Sequence, residues 1–188
     1  MRDRIIKVFI ELINTINYEA ISVKLICEKC YISRTTFYKH FKNTNDILLE
    51  VENKVLEDMD NIYKEYNYQD ILKIPHEVPA PNFYEMYKYI YNHKEIFRFI
   101  YSDKCPRPYY NKTTTSIFSK LLLLFSKHLD EQETREAASI CSNFILSTGK
   151  ALVDEKTTLT PKQLSTMLKN VIQALIKDKN IYFNKKDI

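Results

Sequence analysis

Glycine is nearly missing from this chain: there is one, Gly149, in 188 residues, where average usage near 7% would supply roughly 13. Hairpin turns and phosphate-cradling loops lean on glycine because it reaches φ > 0 without steric cost. The scarcity argues against a β barrel or sandwich. It also excludes a Walker loop and a GxGxxG fingerprint. Part of the bias is genomic. Lysine, isoleucine, asparagine and tyrosine are abundant and lysine far outnumbers arginine, the signature of an AT-rich coding sequence.

Other absences narrow the field. No window holds 18 uninterrupted apolar residues, so no membrane span is expected. The start, MRDRIIKVFIELI, pairs basic and apolar residues as a signal peptide does. However, Asp3, Lys7 and Glu11 interrupt it and no small-residue cleavage site follows. It reads as an amphipathic helix, and the protein as cytoplasmic. G-x-S-x-G, H-E-x-x-H and paired-carboxylate motifs are all lacking, and His40, His76, His93 and His128 are scattered. No enzyme activity and no cofactor are expected. Cys27-x-x-Cys30 invites a zinc or redox reading, but zinc needs two further ligands and a redox pair needs a βαβ context. Neither is present, so both cysteines read as small buried helix residues and no metal is expected.

The net charge, +4 from 28 basic and 24 acidic residues, permits nucleic acid without demanding it. Placement therefore decides. Ile5, Ile6, Phe9, Ile13 and Ile16 fall at helical spacing over 2–16. Asn17, tolerant of the left-handed conformation, can end that helix. Ser22 is a candidate N-cap for a short second helix with Val23, Ile26, Cys27 and Cys30 on one face. Ser33 caps a third helix over 34–41. Asn43 with Asp46 opens a long linking helix, 45–66, along which Val51, Val55, Met59, Ile62 and Tyr66 align. Pro75, Pro79 and Pro81 break the chain at 67–81. The pattern then predicts helices over about 83–102 (Asn82 and Glu85 as its cap), 109–129, 131–153 (Asp130 with Glu133) and 161–178 (Thr160-Pro161-x-Gln163), and a frayed tail from Asn180. The fold class is all-α: a three-helix head followed by a larger helical body.

Two short helices joined by a tight turn make a helix-turn-helix. At about 100° per residue, Phe37 and Phe41 lie close together and define the buried side of the third helix. Thr35, Thr36 and Lys39 point the opposite way, where hydroxyls and a cation suit base edges in a major groove. Arg34, Tyr38 and His40 lie on the flanks, where phosphates run. Ser22 exposes a helix N-terminus that favours a phosphate.

The segment EAISVKLICEKCYISRTTFYKHFKNTNDILLEV resembles the DNA-binding head of the tetracycline-repressor (TetR) family, over roughly residues 5–55. ISRTTFYKHF is its most specific part. The resemblance implies that Thr35, Thr36 and Lys39 read bases, that Tyr38 and His40 hold phosphates, and that Phe41 packs against helices one and four. It divides the chain into a DNA-binding unit, 1–45, and a regulatory and dimerisation unit, 46–188. Three departures stand out. Asn17 and Tyr31 occupy positions where the family favours glycine. Thr44 replaces a lysine usual at the start of helix four, whose phosphate contact is lost or passes to Lys42. If Tyr31 must be left-handed, it costs about 1–2 kcal/mol.

The family binds palindromic double-stranded DNA as a twofold dimer. That implies an interface on the last two helices, for which the candidates are Ala138, Ser142, Ile145, Gly149, Leu164, Leu168, Val171 and Leu175. Family members also enclose a small-molecule effector. The aromatic run NFYEMYKYIYNHKEIFRFIY makes Tyr63, Phe83, Tyr87, Tyr91, Tyr101, Phe118 and Phe144 candidates for lining that cavity. Tyrosine rings suit a planar or cationic molecule. The implied function is a transcriptional regulator, more often a repressor, released from DNA by its effector. Two rivals remain. HKEIFRFIYSDK faintly resembles regulators of the dihydroxyacetone-kinase operon type, which act through a protein partner; a filled core between helices four and seven would favour that reading. The other is a small all-α enzyme or carrier that kept the head.

Overall fold

The computed structural model describes residues 1–65 and 68–183, among which there is no strand. Tyr66, the end of the expected linking helix, and the tail 184–188 lie outside the described residues. No helix among the described residues is long and apolar enough to cross a membrane.

Apolar spacing builds the head. Its helices are α1 (Arg2–Thr15), α2 (Val23–Cys30) and α3 (Arg34–Tyr38). Ile5, Phe9 and Ile13 of α1, Ile26, Cys27 and Cys30 of α2, and Phe37 of α3 meet Ile47 and Leu48 of α4 (Thr44–Glu65) in one core. Burial raises the pKa of both thiols of the Cys27/Cys30 pair. Ser22 and Ser33 cap as the sequence indicates, accepting the N–H groups of Leu25 at 3.2 Å and Thr36 at 3.0 Å. Asn43 accepts from Asp46 N–H at 2.9 Å, while the Asp46 carboxylate reaches back to Lys42 N–H at 2.9 Å and not to Asn43. Asn17 does not end α1 in a left-handed conformation. The chain turns extended at Ile16 (φ −129°, ψ 166°), and Asn17 (φ −64°, ψ 139°) leads into a 3₁₀ turn at Tyr18–Ala20.

Left-handed backbone does occur, at Tyr31 (φ 51°, ψ 48°). Ile32 N–H bonds Cys27 C=O at 3.0 Å and Tyr31 N–H bonds Glu28 C=O at 3.2 Å. This is a Schellman cap with tyrosine where glycine is usual. Glu155 (φ 57°) repeats it beyond α8, with Lys156 N–H on Ala151 C=O at 2.8 Å. The one glycine serves a different need. A Cβ on Gly149 would lie 2.8 Å from the Tyr101 hydroxyl, so its bare backbone lets that ring lie against α8.

The body comprises α5 (Pro81–Asn92), α6 (Lys94–Ile100), α7 (Arg107–Phe125), α8 (Glu131–Val153), α9 (Pro161–Lys177) and α10 (Lys179–Tyr182). Both capping boxes, Asp130/Glu133 and Thr160/Gln163, form. The expected helix 83–102 is instead two helices, broken at His93 (φ −114°, ψ 32°), whose ring stacks on Tyr89 with centroids 4.1 Å apart. The His93 ring and backbone nitrogens both stand at hydrogen-bonding distance from the Tyr89 carbonyl, and the His93 carbonyl accepts from both Ile96 and Phe97 N–H at 3.0 and 3.2 Å, where the next helix starts. Ala80, not Asn82, is the cap of α5; Pro81 takes the first turn and Asn82 is buried. The first part of the expected frayed tail forms α10, with Phe183 against the body core.

A polar row on the inner side of α9 straps the segment that follows α4. Lys169 is fully buried, and its three N–H donors meet three carbonyls: Pro75, His76 at 3.0 Å and Val78 at 2.8 Å. Gln173 donates to Ile71 at 2.6 Å and Ile74 at 2.9 Å, and Ser165 to Ala80 at 3.0 Å. A carbonyl-rich loop can be buried only if its acceptors are met in this way.

Candidate nucleic-acid interface

The turn at Tyr31 and the cap at Ser33 aim α3. Phe37 and Phe41 are buried beneath it, with centroids 6.1 Å apart. Arg34, Thr35, Tyr38 and Lys39 are exposed on its outer side. Thr36 is half-buried and its hydroxyl lies 2.9 Å from Ser33 Oγ, so it is partly engaged in holding the helix start. The α-helix proper stops at Tyr38, short of the predicted residue 41. The N–H groups of His40 and Phe41 both turn onto Phe37 C=O, which tightens the end and leaves His40 half-buried at its rim. Ser22 and Lys42 are exposed at the two edges of this surface. Exposed Lys24 and Lys29 on α2 add positive charge beside it.

Arg2 holds α1 against this unit, a role with no signature in the sequence. Its guanidinium forks onto the Glu50 carboxylate, donates to the carbonyl of His40 at 2.9 Å, and lies 4.5 Å over the Phe41 ring. One side chain thus joins α1, the end of α3 and α4.

In the body, Tyr63 and Tyr101 line a closed cavity between α4, α5, α6 and α7 of about 20 Å³, room for one water. The other aromatic candidates are placed elsewhere. Tyr91 is 49% exposed and faces away from the interior. Phe83 is fully buried in the body core, and the Tyr87 hydroxyl is 2.7 Å from that of Thr148 on α8. Phe118 lines a shallow outer groove between α7 and α8, and Phe144 is half-buried on α8. Tyr91 lies on the last turn of α5, one turn beyond Tyr87, at the rim of the face that buries Phe83, Met86, Tyr87 and Ile90.

The proposed dimer stripe also needs correction. Ala138, Ser142, Ile145, Gly149, Leu164, Leu168 and Leu175 are buried within the single chain, and of that set only Val171 is partly exposed. The strongest apolar stripe of α9 packs on α5, because the monomer has first use of it. The outward faces of the same helices carry Ile140 and Ser147 on α8, and Met167, Val171 and Ala174 on α9.

Residues 5–51 match the family model described as bacterial regulatory proteins, tetR family. No curated protein matches the chain significantly. Among solved structures, the chain is similar to the fatty acid degradation regulator FadR from Bacillus halodurans, at 18% identity over 94% of each chain with a TM-score of 0.66. It is similar to a dihydroxyacetone kinase operon activator, DhaS, at 17% identity over 94% of this chain and 96% of that one, with a TM-score of 0.56. A tetR-family transcriptional regulator from Streptomyces coelicolor aligns at 15% identity over 96% of this chain and 82% of that one, with a TM-score of 0.60.

Proposed function

We propose, from the premise that this chain is a DNA-binding transcriptional regulator of the TetR family, that it binds a palindromic operator as a homodimer and represses until a small-molecule effector releases it. Residues 1–45 are then the DNA-binding unit and 46–188 the regulatory and dimerisation unit. A protein bound to the chromosome works in the cytoplasm. The observation that carries the reading is the exposed row Arg34, Thr35, Tyr38 and Lys39 on a helix anchored by buried Phe37 and Phe41. Thr35 and Lys39 read base edges, with Thr36 beside them. Arg34, Tyr38, His40, Ser22 and Lys42 hold phosphates. Two heads related by a twofold axis read half-sites about one turn of DNA apart. The subunits meet through the outward faces of α8 and α9. An effector acts by binding more tightly to a conformation whose head spacing mismatches the operator.

Selection of oligonucleotides from a random pool tests this. A palindromic consensus is the expected product, and Lys39→Ala should cost about 1–3 kcal/mol at one base pair of each half-site. Equal loss across all sequences would make Lys39 a phosphate contact. Retention of no preferred sequence at low salt would refute operator recognition.

One observation favours a second reading, regulation through a protein partner with no inducer cavity: the inner cavity between α4 and α7 is only about 20 Å³. On that reading operator affinity is indifferent to every small molecule. For an enzyme or carrier that merely kept the head, no metal-holding cluster of His, Cys, Asp or Glu is found among the described residues.

A further inference from the structure

The α4–α7 seam is held by two ion pairs, and the closed cavity lies along the same seam. Lys112 Nζ meets Glu52 at 3.2 Å, and Lys120 Nζ meets Asp60 at 2.5 Å. The cavity is largely apolar, lined by Val55, Met59, Met86, Ile90, Phe97 and Ile117 among others. Beyond the Lys120–Asp60 pair lies an open groove of about 380 Å³, bounded by Lys64, Lys120, Lys127, Asp60, Leu123 and Leu124. Tyr63 and Lys120 line both spaces, so they form the partition between them.

The partition is asymmetric. The Lys120 side chain is 21% exposed but that of Asp60 is 50% exposed. Asp60 can turn into water with little loss, whereas a mostly buried ammonium needs an acceptor in its place. Lys120 also contacts Ser116 Oγ at 2.7 Å and lies 4.8 Å over the Tyr63 ring. Three lysines against one aspartate make the groove cationic, which reverses the expectation of a cationic ligand drawn from the tyrosines. Leu123, 68% exposed, puts an apolar side chain at the entrance. Inside, Met59 and Met86 are unbranched and can repack around a guest. Tyr101 supplies an independent observation: it lines the cavity, is 8% exposed, and its hydroxyl makes no hydrogen bond among the described residues. A buried donor without an acceptor is costly, so Tyr101 is the part of the cavity wall that a guest displaces at least cost.

Resting on the effector reading above, we infer that the effector is an anion with an apolar tail, which enters along the α4–α7 seam by taking Asp60's place on Lys120. The groove of about 380 Å³ holds the head and most of the tail along Leu123 and Leu124, and only the end of the tail presses past Tyr63 into the cavity as Met59 and Met86 repack. Carboxylate and phosphate heads share this chemistry.

The test uses the full chain and four ten-carbon probes below their micelle concentrations: decanoate, decyl phosphate, decanol and decyltrimethylammonium. Thermal unfolding without DNA reads binding, and the selected operator reads release. Decanoate, decyl phosphate or both should raise the melting temperature and weaken operator binding, and the response of each tells which head is taken. Lys120→Met should weaken that binding about tenfold or more, the worth of a charge-assisted bond, whereas Lys120→Arg should retain it. Asp60→Asn should strengthen it several-fold by removing the competing carboxylate, a gain that a merely structural role would not give. Equal response to decanol or decyltrimethylammonium, or unchanged anion binding in both Lys120→Met and Asp60→Asn, would overturn the inference. If only the neutral or cationic probe binds and releases DNA, the anion assignment fails and the effector reading stands. If no probe binds and a broad metabolite set leaves operator affinity unchanged, the effector reading fails with it.

Discussion

Replacing Tyr31 with glycine should make this protein more stable, although it deletes a large side chain. Tyr31 sits at φ 51° and ψ 48°, and is 88% exposed, so its ring contributes little packing. A β-carbon in that conformation costs about 1–2 kcal/mol. Glycine gives back part of that gain, because its unfolded chain is freer by about 0.4–1 kcal/mol. The net expectation is a gain of about 0.5–1 kcal/mol, or about 2–3 °C in a chain of this size. Tyr31 is a cleaner site than Glu155, where the same change would also remove the ion pair with Lys94 at 2.7 Å. Tyr31→Asn should fall between tyrosine and glycine, since asparagine tolerates the left-handed region. Tyr31→Val should be the least stable of the series, by about 1 kcal/mol or more relative to tyrosine, because β-branching is most crowded there. Urea and thermal unfolding at one fixed protein concentration measure the order, the concentration being held because dimerisation would shift the apparent stability. A glycine variant no more stable than the parent, or a valine variant equal to it, would refute the strain argument.

Gly149→Ala should destabilise by about 1–2 kcal/mol, although alanine is the better helix former by about 1 kcal/mol, because overpacking costs more. The nearest atom to the new β-carbon is the Tyr101 hydroxyl at 2.8 Å, so the penalty should shrink in a Tyr101→Phe background, read by the same unfolding assays; an unchanged penalty would show that the ring carbons at 3.3 Å set it. Met167→Glu together with Val171→Glu should yield folded monomers in sedimentation with the helical spectrum intact. A persisting dimer would move the interface off the outer face of α9.

Much of the architecture was legible because its signals are local. Ser22, Ser33, Asp130/Glu133 and Thr160/Gln163 mark helix starts through bonds spanning three residues, and all four caps form. The exposed row of α3, Arg34, Thr35, Tyr38 and Lys39, follows from the angle it makes with Phe37 and Phe41. What could not be read depends on distant partners. Leu168 and Leu175 form an apolar stripe whether the covering surface is α5 or a second subunit; periodicity carries no information on which. The break at His93 is a change of backbone angles at one residue, and helical spacing runs through it undisturbed. Nothing in the sequence singles out Lys169. Only the fold brings the carbonyls of Pro75, His76 and Val78 around it.

The cavity's position bears on how a signal would reach the DNA. The head core is not closed by the head alone: Phe99 and Cys105 are buried in it, and Tyr18 meets the Phe99 ring at 6.4 Å. Phe97, Ile100 and Tyr101, on the same short stretch, belong to the body core, and Arg98 donates to the Val153 carbonyl at the end of α8 at 2.6 Å. The consecutive side chains Phe97, Arg98 and Phe99 of α6 are thus committed to body, α8 and head in turn. Such a helix is too short and too fully packed to bend under a guest, because close-packed cores shift between discrete arrangements and do not deform smoothly. On the effector reading, a tail that displaces Tyr101 from Gly149 must therefore move α6 as a unit. Phe99, two residues away, must then drag the head core with it or lose its place there. Either outcome changes the angle between head and body, which on the homodimer reading proposed above would set the separation of two heads on DNA.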